Sequence, residues 1–419
     1  MRVIPVMLAL LLALSSGAVA LQATESTAPT AATPGVSQFG TDGVVAQTGA
    51  PQSGSTANVT NETTTVLTLG TEPTRTAFDR PSLALGSSLA TDYDGFQTQL
   101  RADTLDEQLS AAESSEEKRQ ILNRYRYRIE NRIISLQAEE REATQSFSNG
   151  TLSKSKYLRT LGQIDVAVAE TRTLIEAMQA HQSIRNMDTE AGTLNGQLVT
   201  LDGPVRDRIG RVVRGEAPPA KVYVATADTG VVLSTIANGE YVREIVRTDR
   251  RDPGASSQMT VLEAQQAIVD KHSWAYNNIG SSGIDAEYGA TNVYQMWFDH
   301  SQGRLEAYYD GGTEAVFKEI QRKQLVGEDS VPPGPGVVDS ATDLTLTVNR
   351  TYAGGPLRVR LTNETGVPLE GEISVDGEPV GRTSEDGVLW TLGPAEQFRV
   401  GATDDDRSIN VTTTPVDAP

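Results

Sequence analysis

The residue types that most often carry catalysis or bind metals are scarce in this chain. It has no cysteine and three histidines, His181, His272 and His300. The sequence pattern places them on a helix, at a helix end and in a hairpin turn. None of them has the close spacing to a second histidine that a zinc site needs. The sequence therefore predicts no catalytic residue, no metal site and no cofactor-binding site.

Three short segments contain residue types found in active sites or cation sites. Asp299-His300 has the composition of an acid–base pair but lies in a predicted polar turn. Ser281-Ser282-Gly283 lacks the strand-to-helix setting of a hydrolase nucleophile. Asp404-Asp405-Asp406 offers the carboxylates that calcium prefers, but adjacent residues do not easily converge on one ion. We therefore assign no chemistry to any of the three.

A cluster of aromatic residues between 274 and 309 is the best candidate for a binding surface. Core packing accounts for most of its members. Trp297 and Phe298 are neighbours on a predicted strand, so their side chains point to opposite faces and one of them is expected to be exposed. We predict an interaction patch at Trp297 and Phe298, since exposed aromatic groups often mark binding sites.

The chain begins with the layout of a secretory signal peptide. Arg2 precedes the apolar run Val6–Leu14, and the small residues Ala18-Val19-Ala20 follow it. The run is too short to span a bilayer, and no later stretch approaches the required length. We expect export through this signal, no transmembrane segment in the mature chain, and an extracellular or cell-surface location.

Asn-x-Thr sequons are spread over the chain. They are acceptors for N-glycosylation in exported proteins and favour exposed positions. The predicted glycosylation sites are Asn58, Asn61, Asn149, Asn349, Asn363 and Asn410.

The charge balance is strongly acidic, with 55 acidic against 36 basic residues and a net charge of −19. Seven of the basic residues are lysine and the rest are arginine. This surface suits a protein in concentrated salt, which screens its own repulsion, although a GC-rich genome also favours arginine. Nucleic acid is not expected as a partner of so acidic a chain.

Composition and periodicity divide the chain into six regions, and the predicted fold class is multidomain α+β. A disordered spacer rich in Thr, Ser, Pro and Gly follows the signal peptide, since it has too few apolar residues to form a core. The predicted regions are the signal peptide 1–20, the spacer 21–90, a helical hairpin 91–190, a small α+β domain 191–325, a Pro/Gly linker 326–340 and an Ig-like β-sandwich 341–413.

The hairpin prediction depends on apolar residues spaced by three and four, which is typical of helices that pair along a coiled-coil-like seam. A polar turn at Ser146–Gly150 makes the two long helices antiparallel, with its tip farthest from the other domains. The predicted buried seam consists of Leu122, Ile129, Ile133 and Leu136 against Leu161, Ile164, Val168 and Ile175.

The next region alternates β-rich runs with helices. Pro204 is expected to open a short helix with an apolar side and an arginine-rich side, and Thr260 to cap a helix over Thr260–His272. Thr313–Lys323 is also predicted to be helical. Predicted strands of the α+β domain and the sandwich are Lys221–Thr226, Val231–Thr235, Tyr241–Arg247, Asn292–Phe298, Arg304–Tyr309, Leu344–Val348, Leu357–Leu361, Gly371–Val375, Gly387–Trp390 and Phe398–Gly401.

Three resemblances accompany these patterns. The run from Gly366 to Gly387, with its G-x-P-x-x-G start and G-x-T-x-x-x-G hairpin, resembles carboxypeptidase-regulatory-like and Ig-like modules. The strand–turn–helix order of the middle domain is similar to small secreted PepSY-type domains. In composition and domain order the whole chain resembles uncharacterised secreted multidomain proteins of halophilic archaea.

These resemblances imply a non-enzymatic structural or protein-interaction protein, secreted or attached to the cell surface, with a protein partner there. The alternative is a PepSY-like regulatory or inhibitory module for an extracellular protease. A hydrolase whose site is assembled from distant acids is a third hypothesis.

Overall fold

The computed structural model describes residues 63–181, 187–285, 288, 291–327 and 330–419. They form helices packed on an antiparallel sheet, followed by a β-sandwich, which confirms the multidomain α+β prediction. The helices are α1 (Leu85–Ala111), α2 (Ser115–Ser148), α3 (Lys154–Gln179), α4 (Met187–Leu198), α5 (Pro204–Arg214), α6 (Val261–Lys271) and α7 (Ser273–Asn277).

The strands form three antiparallel sheets. The eight-stranded sheet has the order β1-β2-β3-β4-β8-β7-β6-β5, and the sandwich consists of β14-β11-β10-β9 over β13-β12-β15-β16. The strands are β1 (Arg75–Asp79), β2 (Val222–Ala227), β3 (Gly230–Ala237), β4 (Glu240–Arg247), β5 (Ile279–Asp285), β6 (Val293–His300), β7 (Gly303–Asp310), β8 (Ala315–Gln324), β9 (Gly336–Ala341), β10 (Leu344–Asn349), β11 (Pro356–Asn363), β12 (Glu372–Val375), β13 (Glu378–Arg382), β14 (Val388–Leu392), β15 (Phe398–Asp404) and β16 (Arg407–Thr413).

Helices α2 and α3 pack against each other and are joined by a short turn. Ser114 caps the start of α2 by accepting a hydrogen bond from the Glu117 N–H, and Ser153 caps α3 in the same way from Lys156. All eight residues of the predicted seam are buried. Seven of them, all but Leu161, belong to a cluster that also includes residues of α1 and α4.

The tip of these two helices does not lie away from the rest of the chain, so that prediction is wrong. Arg75 of β1 donates a hydrogen bond of 2.6 Å to the carbonyl of Phe147, and the Ser148 hydroxyl donates one of 2.9 Å to Thr226 of β2. The physical reason is that Phe147 and Tyr157 at this tip form an apolar pair, with stacked rings 4.6 Å apart, which is stabilised by burial away from water. The sheet supplies that burial, because both rings share a buried cluster with strands β2, β3 and β4.

The spacer predicted over 21–90 is contradicted in its described part. Residues 63–90 contain β1 and the start of α1, and Leu67 is only 2% exposed. Leu67 and Leu69 belong to the core of the large sheet, and buried polar side chains of the sheet bind the backbone beside them. Arg243 donates to the Leu67 carbonyl at 2.6 Å and Arg247 to the Thr68 carbonyl at 2.8 Å. The remaining part of the predicted spacer lies outside the described residues.

Thr313–Lys323 does not form a helix, because strand β8 occupies this segment in the middle of the sheet, between β4 and β7. Helices α3 and α5 cover one face of the sheet, and α6, α7 and the segment 63–70 cover the other. Both faces of β8 are therefore buried, and the alternation of apolar and polar residues that signals a half-exposed strand is lost. The remaining spacing of Val316, Phe317 and Ile320 imitates a helix.

The C-terminal β-sandwich prediction is confirmed, with a core of aliphatic residues from both sheets. The linker before it is less independent than predicted, because Val331 is buried in the core of the large sheet. The sandwich also packs on that sheet. The Gly354 carbonyl accepts hydrogen bonds from Ser234 at 2.6 Å and from Tyr241 at 3.1 Å. Gly354 has φ +71°, and the Tyr223 ring leaves no room for a side chain there.

Candidate functional site

The main cleft lies between helices α3 and α5 and the large sheet, with a volume of about 680 Å³. Asp165 and Arg172 of α3 form one wall, Asp207 and Arg208 of α5 form the next, and strands β3, β4, β7 and β8 form the floor. Acidic and basic side chains occur in equal numbers along its lining: Asp165, Asp202, Asp207, Glu240 and Glu306 with Arg172, Arg208, Arg211, Lys318 and Arg322.

Beside the cleft, Arg206 of α5 is buried at the junction of three elements. Its Nη1 lies 2.7 Å from Oε1 of Glu140 in α2, and its Nε lies 3.0 Å from Oε1 of Glu244 in β4. The other oxygen of Glu244 accepts the Val205 N–H at 2.9 Å, which caps the start of α5. Burial raises the pKa of Glu244 even though the charge of Arg206 opposes that rise. This ion pair is a structural joint.

Lys318 of β8 forms a second buried ion pair, on the same face of the large sheet. Its Nζ donates hydrogen bonds to Oδ1 of Asp202 at 2.7 Å and to the Val199 carbonyl at 2.6 Å. The other oxygen of Asp202 lies 2.5 Å from Arg172. Burial alone would raise the pKa of Asp202, but the charges of Lys318 and Arg172 outweigh it and hold that pKa below its usual range.

Asp165 differs from these paired groups. It is 8% exposed, and its Oδ1 accepts the Gly203 N–H at 3.1 Å. No basic side chain lies within 4 Å of its carboxylate in the described part of the chain. Burial and the neighbouring carboxylates of Asp202 and Glu244 raise its pKa to about 8. Asp165 therefore keeps its proton at neutral pH and lies in the cleft as a neutral acid.

The opposite face of β8 carries a third charged cluster around Glu319, which is completely buried. Its two oxygens accept the Leu67 N–H at 3.0 and 3.1 Å, and Arg243 lies 3.6 Å away. His272 Nε2 lies 3.7 Å from Glu319, and burial lowers the pKa of His272. The residues of this cluster bind the backbone of the segment 63–70, so their role is to attach that segment to the sheet.

The geometry of these clusters is that of structural ion pairs. No group of three or more His, Asp or Glu side chains suited to a metal ion occurs among the residues that the structure describes. His181 pairs with Asp106 at 2.7 Å, and His300 Nδ1 accepts the Gln302 N–H at 3.2 Å. The sequence patterns gave no indication of the buried arginine or lysine, since a charged residue is normally expected in solvent.

The three short polar segments are located in turns and strands. Asp299 pairs with Arg304 at 3.2 Å and accepts the Ser281 hydroxyl at 3.0 Å. Asp404 pairs with Arg407 across the tight turn between β15 and β16, in which Asp405 has φ +51°. The carboxylates of Asp299 and Asp404 therefore bind groups of their own hairpin or of the neighbouring strand.

Of the two residues of the predicted patch, Trp297 is partly exposed and Phe298 is not. Phe298 is completely buried in the core beneath α6 and α7, so it offers nothing to a partner. Trp297 on the other face of β6 is partly exposed. Its ring lies against Gly283 of β5, and the guanidinium of Arg304 stacks on it at 4.7 Å from the ring centre.

A larger apolar surface lies on α1, where the sequence pattern predicted only spacer and the start of the hairpin. Six of the fourteen exposed large hydrophobic residues in the described chain are found here, with exposures of 49–70%. We call these residues the α1 stripe: Leu83, Leu85, Leu89, Tyr93, Phe96 and Leu100. From Leu85 onwards they follow at steps of four, four, three and four, which keeps them on one side of the helix for about 22 Å.

The opposite side of α1 is the side that packs on the rest of the protein. Thr98, Ala102, Leu105 and Leu109 are buried, and the two leucines belong to the cluster with α2, α3 and α4. Helix α1 therefore has apolar residues on two opposite sides, and the described chain covers one of them.

Three family models match successive parts of the chain. Residues 1–218 match a domain of unknown function (DUF7096), and residues 222–327 match a family of unknown function (DUF7094). Residues 337–411 match an archaeal fibronectin-III type-like domain, which agrees with the predicted Ig-like module. No curated protein and no solved structure matches the chain. Among the described residues, no helix is both long and apolar enough to cross a membrane.

Proposed function

We propose a non-enzymatic interaction role at the cell surface for this chain, which belongs to the family of the domain of unknown function DUF7096. The α1 stripe is the observation that carries the proposal. Its six side chains expose roughly 700 Å² of surface, more than the largest apolar patch of a typical monomer. The charged clusters of the cleft and the sheet hold elements together, and a fibronectin-III type-like module is typical of structural or adhesive proteins.

A second copy of this chain is the occupant that we propose for the α1 stripe. About 800 Å² per partner is buried in a stable interface of standard size, and the stripe nearly reaches this area by itself. Two stripes packed antiparallel about a two-fold axis bring Leu85 and Leu89 of each copy next to Phe96 and Leu100 of the other. The segment between the signal peptide and residue 63 contains almost no bulky apolar residues, so it is poorly suited to cover the stripe.

Replacing Leu89 and Phe96 together by serine is expected to convert a dimer into a monomer, because it removes the centre of the apolar contact. Light scattering after size exclusion, at micromolar concentration and in molar salt, measures the mass directly. The matched control is Ile134→Ser on α2, a residue that is 60% exposed but lies outside the stripe. A monomeric wild-type protein would exclude the second copy as the occupant.

We further propose that the chain is adapted to concentrated salt, on the basis of its net charge of −19 and its lack of disulfides. At 0.01 M salt the Debye length grows to about 30 Å, so exposed carboxylates repel one another across the whole surface. We expect the circular dichroism signal of the helices to decrease on dialysis into dilute buffer and to return in molar salt. A melting temperature that is the same at both ionic strengths would contradict this adaptation.

The PepSY-like alternative, a module that regulates an extracellular protease, makes a different prediction. It requires a complex with that protease and a change in cleavage rate when purified chain is added. Serine variants of the α1 stripe would leave such an effect unchanged if the strands and helices of the middle domain carried it.

A further inference from the structure

The geometry points to Asn149 and Asn363 as the glycosylated sequons of the described chain, and to Asn349 and Asn410 as sequons that stay unmodified in the folded protein. The inference rests on the proposed export, since the modification takes place outside the cytoplasm. The amide nitrogen of asparagine is a poor nucleophile because its lone pair is delocalised onto the carbonyl oxygen. It reacts as it loses a proton, and hydrogen-bond donors at the oxygen favour that loss because they stabilise the negative charge that develops on the oxygen. An acceptor site therefore benefits from such donors and from a free amide nitrogen.

The sequons at Asn149 and Asn363 share one local geometry. Oδ1 of Asn149 accepts the Thr151 N–H at 3.2 Å and the Thr151 hydroxyl at 2.8 Å, and the hydroxyl is shared with the Ser146 carbonyl at 3.0 Å. Oδ1 of Asn363 accepts the Thr365 N–H at 3.0 Å and the Thr365 hydroxyl at 2.8 Å.

A third donor, the Val367 N–H, lies 2.8 Å from Oδ1 of Asn363. In both sequons the Nδ2 group makes no hydrogen bond to the described part of the chain. Asn149 is exposed at the end of α2, and Asn363 is half-buried at the end of β11. Both residues therefore present a free nitrogen next to an oxygen that already binds donors.

The sequon at Asn349 has the opposite arrangement. Its Nδ2 donates to the Gly334 carbonyl at 2.9 Å, and its Oδ1 lies 3.4 Å from Arg358. The hydroxyl of Thr351 donates to the Pro356 carbonyl at 2.9 Å and is not available to the asparagine. Strand β10 is also held between β9 and β11, so the nitrogen is not free to react without local unfolding.

Asn410 shows whether exposure or local hydrogen-bond geometry determines glycosylation, because it has the first without the second. It is exposed in the middle of β16, and the extended backbone keeps residues two apart about 7 Å from each other. In the described chain the Thr412 hydroxyl donates no hydrogen bond to the carbonyl oxygen of Asn410. If exposure alone governed modification, Asn410 would be occupied as fully as Asn149.

The reaction joins Nδ2 to the anomeric carbon of a sugar carried on a lipid phosphate, and a separate transferase supplies the catalysis. The bond from that carbon to the phosphate oxygen breaks, and the phosphate leaves with the electron pair. Nδ2 loses one proton to a base of the transferase. The hydrogen bonds at Oδ1 stabilise the negative charge that develops there as the proton leaves.

The test is glycopeptide mass spectrometry of the mature chain isolated from the surface or medium of its own host. We expect occupancy at Asn149 and Asn363 at least tenfold above that at Asn349 and Asn410. Short peptides with the same four sequons, incubated with host membranes that hold the transferase and lipid-linked sugar, should be modified to similar extents, because the peptides lack the fold. The Asn149→Gln variant controls for the peptide assignment.

Equal occupancy at Asn410 and Asn149 would overturn the inference, since exposure would then suffice. An exported and processed chain with no glycan at any of the four positions would also overturn it, while export itself would stand. A chain that remains in the cytoplasm with its N-terminal signal intact would instead contradict the proposed cell-surface role.

Discussion

Replacing Arg206 by methionine is expected to cost about 3–5 kcal/mol of the free energy of unfolding, since it leaves charged partners buried without compensation. Arg206 is 1% exposed and contacts both Glu140 and Glu244 at distances of 3.0 Å or less. Methionine fills a similar volume, so the loss reports on the charge more than on a cavity. Urea unfolding followed by circular dichroism of the helices measures it, because the sandwich contains no helix.

Two further variants show whether charge is the cause. Arg208→Met changes the next arginine of α5, which donates a 3.3 Å hydrogen bond to the Pro218 carbonyl, and is expected to cost less than 1 kcal/mol. Adding Glu244→Gln to Arg206→Met is expected to recover at least half of the loss, since the amide oxygen still accepts the Val205 N–H without a negative charge. An Arg206→Met protein as stable as wild type would show that this buried joint contributes no net stability.

Local signals predicted well wherever an element is determined by its own residues. The Thr260 cap was recognised from sequence, and the structure shows a complete capping box in which the side chains of Thr260 and Glu263 bond to each other's backbone N–H. The sandwich strands are half-exposed, so turn residues and spacing sufficed to predict most of them. The apolar side predicted for the helix opened by Pro204 is also buried, and its residues are Val205, Ile209, Val212 and Val213.

Features that depend on partners distant in sequence were not predictable in this way. The helical pattern places Arg206 on the arginine-rich side of α5, and nothing near it in sequence indicates that Glu140 and Glu244 surround it. Lys318 and Glu319 are adjacent charges that face opposite sides of a covered sheet, and this pattern in sequence predicts a helix. The segment 63–70 has only a short apolar run, Val66 to Leu69, and hydrogen bonds from buried side chains to its backbone complete its attachment to the sheet.

The α1 stripe and the cleft were missed for a related reason. The stripe begins at Leu83, inside a region that composition marked as spacer, and only the fold shows that α1 packs through its other side. The cleft assembles acids from α3, α5 and the turn between α4 and α5, and the raised pKa of Asp165 depends on that convergence.

Replacing Asp165 by asparagine is expected to stabilise the protein, and the gain should increase with pH. In the folded state burial and the neighbouring carboxylates raise the pKa of Asp165 to about 8, whereas an unfolded chain has its ordinary value near 4. Between these values the folded state binds a proton that the unfolded state has lost. The contribution of this carboxyl group to the free energy of unfolding is therefore full below about pH 4 and decreases between about pH 4 and pH 8. Above about pH 8 it no longer changes, because the group is then ionised in the folded state as well.

Asparagine keeps the acceptor for the Gly203 N–H but cannot ionise, so the variant lacks this dependence. Its advantage over wild type should be small near pH 4, grow by about 1.4 kcal/mol per pH unit, and level off above pH 8 with a ceiling of about 5 kcal/mol. Urea unfolding at each pH in the same molar salt gives the difference between the two proteins. Glu240→Gln, an acid of β4 in the same cleft, is the control and should show no such growth. If the two variants behave alike, Asp165 is ionised in the folded protein and the carboxylates around it are neutralised by the arginines and the lysine of the cleft.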